Sequence, residues 1–169
     1  PPYSSAASDV YKRQGLHNIE RRLISDENDK KIKRLTKKFD RVLVDAPCTG
    51  TGTWRRDPDI RAKYSDLDLE NMMSLQDRIL ASAARLTKPG GCLVYVTCSL
   101  LREENEDRII ALLSRRKDYK IVPIPKIWVE QVTVKGGGKC PTDLEMLRLT
   151  PKEHNTDGFF AVVLRRDLD

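Results

Sequence analysis

The feature that most constrains the fold is a short apolar run that ends in an acid, a proline and a cysteine. It lies in residues 40–54, which read DRVLVDAPCTGTGTW. Val, Leu and Val in succession, without polar alternation, are typical of a strand buried on both faces, as in a parallel sheet covered by helices. Because Pro47 has no N–H for a sheet ladder, the strand should end just before it. Asp45 and Cys48 would then lie at the carboxyl edge of the sheet, where open α/β sheets bind ligands.

A second stretch repeats this arrangement. Residues 92–97 read CLVYVT and are followed by Cys98 and Ser99. Neighbouring strands of a sheet lie about 4.8 Å apart. If the two strands are neighbours, Cys48 and Cys98 should face one small site.

The segment between the two strands has the pattern of a long helix. Ser65, with Asp68 three residues later, is typical of a helix N-cap, and apolar residues follow at helical spacing as far as Leu86. The sequence KPGG at residues 88–91 should end the helix. A right-handed crossover would then join two parallel strands, which predicts that the two cysteine-bearing strands are neighbours.

The rest of the chain adds further helices and strands. Helices are expected over residues 30–38, with Ile32, Leu35 and Phe39 on one face, and over residues 102–115, where acids occupy the first turns. Strands are expected over residues 18–24, 119–123 and 158–164, and the last of them should close the sheet.

The first fourteen residues differ from everything that follows. Residues 1–14 read PPYSSAASDVYKRQ, without hydrophobic periodicity. This sequence resembles the adaptor-derived peptide found at the ends of translated metagenomic fragments, so we exclude it from the fold prediction. We expect one partial domain over residues 15–169, with the natural protein beginning further upstream.

Composition narrows the class of protein. No apolar run approaches the roughly 20 residues that a membrane span needs. The four cysteines show neither a CxxC pair nor a zinc-site spacing, which favours a reduced, cytoplasmic protein without a metal. The net charge of +6 favours a polyanionic partner such as RNA. We expect a monomer that does not bind membranes.

A basic loop follows the first cysteine stretch. Trp54 lies beside Arg55 and Arg56, and Arg61 follows in the same loop. An aromatic side chain with basic neighbours is the combination that stacks bases and binds phosphates, although an ordinary charged surface loop has the same composition. Because the loop leaves from the predicted site edge, we favour contact with an RNA substrate. His154, at the entrance of the last strand, is added to this predicted RNA surface.

The two thiols and the carboxylate suggest a chemistry that needs no metal. A cysteine is nucleophilic only as a thiolate, and a single buried cysteine is more often inert. A thiol can add to C6 of a pyrimidine and make C5 nucleophilic, while the Asp45 carboxyl group binds the Watson–Crick edge of the base. The residue pattern alone does not decide whether Cys48 or Cys98 attacks.

Three motifs in this order resemble those of the RNA (cytosine-5) methyltransferases. They are DAPCTGTG at residues 45–52, TCS at 97–99 followed by ENE at 104–106, and TDGFF at 156–160. The nearest branch is that of the bacterial 16S ribosomal RNA enzymes of the Sun or RsmB type. The resemblance runs from about residue 15 to the end of the chain.

The resemblance implies a mechanism and a fold. The fold would be α/β, a class I Rossmann-like methyltransferase sheet with helices on both faces, truncated at its N-terminus. Cys98 would be the nucleophile that adds to C6, Cys48 the thiol that helps to resolve the adduct, and Asp45 the group that holds the cytosine. A cytosine must be unstacked to reach a thiol, so single-stranded or loop RNA is expected.

The resemblance also implies S-adenosylmethionine as cofactor. Asp26, or less favourably Asp29, would contact its adenosine, and Asp45 and Pro47 would border its site. The chain lacks the family's glycine-rich first motif and the acid after its second strand. We therefore expect the 169 residues alone to bind the cofactor poorly and to turn over little.

Three other functions fit parts of the pattern. An amino-group methyltransferase shares an acidic proline motif with residues 45–47 but needs no thiol. A non-catalytic RNA-binding module that retains the fold would bind RNA without a covalent adduct. A dithiol oxidoreductase is disfavoured, because the cysteines lie far apart in sequence and no redox motif surrounds them.

Overall fold

The computed structural model of the chain describes residues 18–20, 22–59 and 65–168. The predicted leader at residues 1–14 and the predicted RNA contact Arg61 lie outside the described residues. Within these ranges, no helix is long and apolar enough to cross a membrane.

The described residues form five strands and five α-helices, in an order that confirms the predicted α/β class. The strands are β1 (Phe39–Asp45), β2 (Thr87–Thr97), β3 (Tyr119–Val122), β4 (Leu147–Leu149) and β5 (Phe159–Arg166). The helices are α1 (Lys30–Lys33), α2 (Asp66–Leu86), α3 (Glu106–Arg115), α4 (Ile124–Gln131) and α5 (Pro151–His154). Short 3-10 turns occupy Thr51–Thr53, Arg102–Glu104 and Thr133–Lys135.

The sheet has the strand order β1-β2-β5-β3, with β4 paired to β5. β1 and β2 are parallel neighbours, with Leu43 opposite Val94 and Asp45 opposite Val96. This confirms the predicted crossover, which runs through α2. β5 is antiparallel to both β2 and β3.

The prediction that the last strand closes the sheet is wrong, because β5 lies inside the sheet. Its alternate side chains Phe160, Val162 and Leu164 are fully buried. Phe160 packs edge-on against Tyr95 of β2, with 6.4 Å between the ring centroids. A strand so apolar on its inner face is most stable between two partners rather than at an edge.

The core lies between the sheet and two helices. α2 packs on β1 and β2 and contacts α3. It presents Leu80, Ala83 and Ala84, and α3 adds Ile109 and Leu112. Small alanine side chains let the helix approach the sheet closely.

β1 is buried on one face only, so the prediction of burial on both faces is wrong. Val44 is 7% exposed, whereas its neighbour Leu43 is 68% exposed. Successive side chains of a strand point to opposite faces. Among the described residues, α2 covers the Val44 face and leaves the face of Leu43 and Asp45 open.

The N-terminal predictions are corrected as well. The described part of residues 18–24 forms no strand, and the helix expected over residues 30–38 ends at Lys33. Lys37 adopts a left-handed φ of 54°, and its N–H donates to the carbonyl of Arg85 at the end of α2. This contact turns the chain out of the helix, so that Phe39 starts β1 instead of joining a helical face.

The longest helix begins as the sequence predicts, whereas the helix after β2 begins later than predicted. Ser65 and Asp68 form a reciprocal capping box at the start of α2. The predicted helix over residues 102–115 is a 3-10 turn followed by α3, with Asn105 between them in a non-helical conformation. β2 is longer than expected, because it begins at Thr87 and includes the KPGG segment.

Candidate active site

The two cysteine loops leave the sheet side by side. The N–H of Ala46 donates to the carbonyl of Val96 at 3.0 Å and so extends the pairing of β1 and β2 past Asp45. The Sγ atoms of Cys48 and Cys98 lie 3.4 Å apart, and both residues are half-buried. The structure therefore places the two predicted thiols in one site.

The Cys48 thiol is strongly disposed to keep its proton. Its pKa is raised to about 12, first by burial and then by the neighbouring Cys98, while the N–H of Gly50 acts in the opposite direction. A thiolate at Cys48 would lose solvation and face a second sulfur. At neutral pH Cys48 is thus a neutral thiol, able to donate a hydrogen bond to Cys98.

The predicted base-holding and cofactor residues lie around the end of β1. Asp45 ends the strand on its exposed face, opposite Val96 in register. The carbonyl of Pro47 accepts a 2.9 Å hydrogen bond from Nε2 of Gln76, on α2. The turn before Cys48 is therefore anchored to the helix that crosses between the two strands.

The predicted adenosine contact lies in a separate turn. The exposed Asp26 accepts a 2.7 Å hydrogen bond from the N–H of Asn28. The alternative, Asp29, caps α1 by accepting from the N–H of Lys31 at 2.7 Å. Glu27 anchors the turn to α2, because its carbonyl accepts from Ser82 Oγ at 2.7 Å. Both aspartates therefore have local structural roles.

A backbone contact joins the three motif loops. The N–H of Gly52 donates to the carbonyl of Cys98, and the N–H of Gly158 donates to the carbonyl of Gly52, each at 2.9 Å. A Cβ at Gly52 would lie 2.6 Å from the Cys98 carbonyl oxygen and from Gly158 Cα. Only glycine allows this approach. The three motifs that carry the family resemblance are separate in sequence, and in the structure their loops pack against one another.

Two buried polar residues of the site were missed by sequence reasoning. Glu104 is one of the acids in the first turns of the predicted helix and Asn105 follows it within the second motif, yet both are 0% exposed. The Glu104 carboxylate binds Thr49, and the Asn105 side chain binds Thr97 and Ser99. The available signal was their place in the second motif, since helix-end electrostatics alone favour exposed acids.

The predicted RNA-binding loop stands beside this site. Trp54 is half-buried and donates from Nε1 to the carbonyl of Thr49 at 3.2 Å. Arg55 and Arg56 are exposed, and both pair with Asp157, Arg55 at 3.6 Å. The loop is therefore held near the two thiols by the third motif.

His154 is held within the protein. Its Nδ1 accepts from the N–H of Thr150 at 3.0 Å, and its Nε2 lies 3.3 Å from the carbonyl of Pro141. The Nδ1 contact implies the Nε2–H tautomer, which donates to Pro141. The structure thus uses both ring nitrogens to shape the segment before β5.

The described residues contain no group of three or more His, Cys, Asp or Glu that could hold a metal ion.

Comparison with known proteins identifies the family. The family model for 16S rRNA methyltransferase RsmB/F matches residues 6–165. Ribosomal RNA small subunit methyltransferase B of Shewanella oneidensis is 41% identical over 122 residues, which are 72% of this chain and 26% of the relative. The chain thus spans about a quarter of the length of the curated relatives it matches.

Solved structures show the same fold. A methyltransferase homologue from Pyrococcus horikoshii superposes with a TM-score of 0.68 at 33% identity, covering 92% of this chain and 47% of that one. NSun6 from Pyrococcus horikoshii, solved with SFG, gives a TM-score of 0.71 at 27% identity, covering 96% and 38%. Together with the two convergent thiols, these matches show that the chain belongs to the 16S rRNA methyltransferase RsmB/F family.

Proposed function

We propose that this chain carries the catalytic cysteines of an enzyme that methylates C5 of a cytosine in ribosomal RNA. The observation that carries the proposal is the 3.4 Å approach of two thiols at the ends of adjacent parallel strands. Each thiol would have a separate part in forming and then resolving one covalent adduct. We expect the protein to act as a cytoplasmic monomer.

In the proposed mechanism Cys98 is the nucleophile. Its thiolate forms a bond to C6 of the cytosine, and the electron pair of the C5–C6 double bond moves toward C5. The Cys48 S–H donates to the Cys98 sulfur before attack and so stabilises the thiolate. C5 then takes up the methyl group, and loss of the C5 proton with cleavage of the S–C6 bond releases the product.

The pKa of Cys48 suggests at which step this residue acts as a base during resolution of the adduct. Cys98 raises the pKa of Cys48 both as a neighbouring charge and as a hydrogen-bond acceptor. When Cys98 becomes a thioether, both causes weaken, while burial and the hydrogen bonds from the N–H groups of Gly50 and Cys98 remain. Cys48 then gives up its proton to solvent more readily, and its thiolate can take the proton from C5.

S-adenosylmethionine supplies an electrophilic methyl group when bound. SFG, the ligand of the NSun6 structure, is an analogue of it. The chain's own residues fit part of such a site, since Asp26 and Asp45 are exposed carboxylates and Asp45 ends β1 at the open edge. We propose that Asp26, Asp45 and Pro47 contact the cofactor and that Asp45 also holds the cytosine.

RNA is proposed to approach over the loop that leaves the site. Arg55 and Arg56 would bind phosphates and Trp54 would stack with a base. Arg61 and His154 complete the proposed surface.

Adduct trapping tests the mechanism. The upstream part of the Shewanella oneidensis relative is joined to residues 15–169, Cys48→Ala is introduced, and the fusion is incubated with rRNA and S-adenosylmethionine. A protein–RNA band should persist on a denaturing gel and disappear when Cys98→Ala is added. Cys92→Ala, which changes a half-buried cysteine of β2, is the matched control and should leave the band unchanged.

Two other outcomes would favour the two rival functions. Methylation that survives Cys98→Ala would exclude a covalent adduct and favour amino-group methylation. Loss of both band and methylation, with salt-dependent RNA binding retained, would favour a non-catalytic RNA-binding module.

A further inference from the structure

Each candidate catalytic cysteine is flanked in sequence by two residues that are anchored to the rest of the protein. Pro47 and Thr49 flank Cys48, and Thr97 and Ser99 flank Cys98. All four flanking residues accept or donate hydrogen bonds to buried side chains. Two adjacent residues, Glu104 and Asn105, supply most of these contacts.

Glu104 holds the Cys48 loop. Its carboxylate accepts from the N–H of Thr49 at 2.9 Å and from the Thr49 hydroxyl at 2.5 Å. It also accepts from Nε2 of Gln76 at 3.0 Å, and the same Nε2 donates to the carbonyl of Pro47. One buried carboxylate therefore fixes the chain on both sides of Cys48.

Asn105 holds the Cys98 loop in a similar way. Its Oδ1 accepts from the Thr97 hydroxyl at 2.6 Å, and its Nδ2 donates to the carbonyl of Ser99 at 2.9 Å. The backbone of this pair is itself tied to β2, because the Tyr95 hydroxyl donates to the carbonyl of Glu104 at 2.7 Å. The two loops thus share one anchor between the 3-10 turn and α3.

These contacts indicate a role in positioning the loops rather than in stability, because burying a carboxylate without an ion pair costs free energy of folding. Among the described hydrogen bonds and ion pairs, the Glu104 carboxylate is satisfied by Thr49 and Gln76 alone. Asn105 leaves helical geometry, at φ −112° and ψ −98°, to reach its partners. The buried carboxylate costs folding free energy, and its hydrogen bonds define the geometry of the loop.

We propose that Glu104 and Asn105 are positioning residues, which set the distance between the Cys48 and Cys98 thiols by clamping the residues on either side of each. The inference rests on the proposed function, since that separation matters only if both thiols act on one substrate. A loop released on either side would let the two sulfurs drift apart. A displacement of about 1 Å costs roughly 100-fold between reacting groups.

The separation of the Cys48 and Cys98 thiols is tested first without RNA or cofactor. The full chain is treated with diamide, and the rate of disulfide formation between Cys48 and Cys98 is followed by peptide mass spectrometry. Glu104→Gln and Asn105→Asp should each slow this coupling by about 10-fold to 100-fold. Glu103→Gln changes the exposed neighbouring acid and should leave the rate unchanged.

We call the contacts of Glu104 and Asn105 with the residues that flank Cys48 and Cys98 the clamp. Two milder variants test it with less risk that the protein fails to fold. Thr49→Val removes one hydroxyl donor to Glu104, and Thr49→Ser restores it. The clamp predicts slow coupling in the first variant and recovery in the second, measured at a temperature well below the thermal midpoints of both. Equal coupling rates in Thr49→Val, Thr49→Ser and the unchanged chain would overturn the proposal.

Methylation by the fusion protein separates this inference from the proposed function. If the clamp variants slow coupling while no protein in the series methylates RNA, the clamp stands and the proposed function fails. If methylation and adduct depend on Cys98 but neither they nor the coupling rate respond to Glu104→Gln, the proposed function stands and the clamp is refuted.

Discussion

The thiols of Cys48 and Cys98 approach to 3.4 Å although the two residues are 50 positions apart in sequence. Parallel pairing of β1 and β2 brings the loops together, and the contact of Gly52 with Cys98 and Gly158 holds them there. The site is thus assembled from strand ends and backbone contacts.

Adding one methyl group at Gly52 should destabilise the fold and displace the Cys98 loop. A Cβ there would lie 2.6 Å from backbone atoms of Cys98 and Gly158, which cannot move aside as a side chain can. We expect Gly52→Ala to lower the free energy of unfolding by about 1–3 kcal/mol, the usual cost of overpacking. Urea unfolding measures the change.

The control for this prediction is Gly138→Ala. A Cβ at Gly138 would have no heavy atom within 4 Å, so its urea midpoint should match that of the unchanged chain. Equal midpoints for Gly52→Ala and Gly138→Ala would show that the motif loops are not packed as described.

The thiol of Cys48 should react slowly with alkylating reagents at neutral pH. Its pKa is raised to about 12, first by burial and then by Cys98, so the reactive thiolate is scarce at pH 7. Alkylation by iodoacetamide, followed by mass spectrometry of the Cys48 peptide, should accelerate as the pH rises beyond 9. In Cys98→Ala the whole profile should shift to lower pH, because one cause of the raised pKa is removed. An unchanged profile would contradict the coupling.

The same shift has a consequence for stability. A group whose pKa is higher in the folded than in the unfolded state binds more protons when folded. Its contribution is therefore fully present below pH 9 and is lost as the pH rises toward 12. Cys48→Ala should weaken the fall of the thermal midpoint over this range, and the same alkaline fall in both proteins would argue against a buried neutral thiol.

Removing Arg56 should weaken RNA binding and its salt dependence. Arg55 and Arg56 are exposed beside the site, and each pairs only with Asp157 among the ion pairs of the described residues. A phosphate contact contributes about one unit to the slope of log K against log salt. We expect Arg56→Ala to reduce the slope by about that amount, in filter binding to a cytosine-containing rRNA fragment.

Lys120→Ala is the matched control for RNA binding. Lys120 is equally exposed and also belongs to a surface ion pair, with Asp167, but lies on β3 away from the thiols. Similar slopes for the two variants would place RNA elsewhere on the protein.

Acid stability should depend on Asp118. The pKa of this carboxyl group is lowered from 3.8 to about 2, chiefly by its hydrogen bond with Arg116 and to a smaller extent by Arg166. A lowered carboxyl pKa stabilises the fold above pH 3.8, and this contribution is lost as the pH falls toward 2. Asp118→Asn should lower the thermal midpoint at pH 7 and flatten its fall between pH 4 and 2.

Asp167→Asn supplies the comparison, since it changes a half-buried acid paired with Lys120. Asp118, by contrast, accepts a hydrogen bond from the buried guanidinium of Arg166 in addition to that of Arg116. The Arg166 guanidinium also donates to the carbonyl of Thr87 at 2.8 Å. Equal effects of the two substitutions would show that the Asp118 cluster adds nothing beyond a surface ion pair.

Local patterns in the sequence determined the strand ends, the long crossover helix and the meeting of the two cysteines. A missing N–H at Pro47, a capping pair at Ser65 and Asp68 and an apolar run each act within a few residues. Parallel pairing then follows from the crossover connection. The roles of Asp26, Asp45 and the RNA-binding residues remain predictions, because they concern partners rather than the chain itself.

Only the tertiary structure decided which polar residues are buried and where the last strand lies. The Glu104 side chain resembles that of any acid at a helix start until Thr49, 55 positions earlier, is packed against it. Gly52 and Gly158 have a shared role only because two loops approach within van der Waals contact. β5 lies inside the sheet because it pairs with strands on both of its sides. This strand order depends on the packing of the whole sheet and not on the sequence of β5 alone.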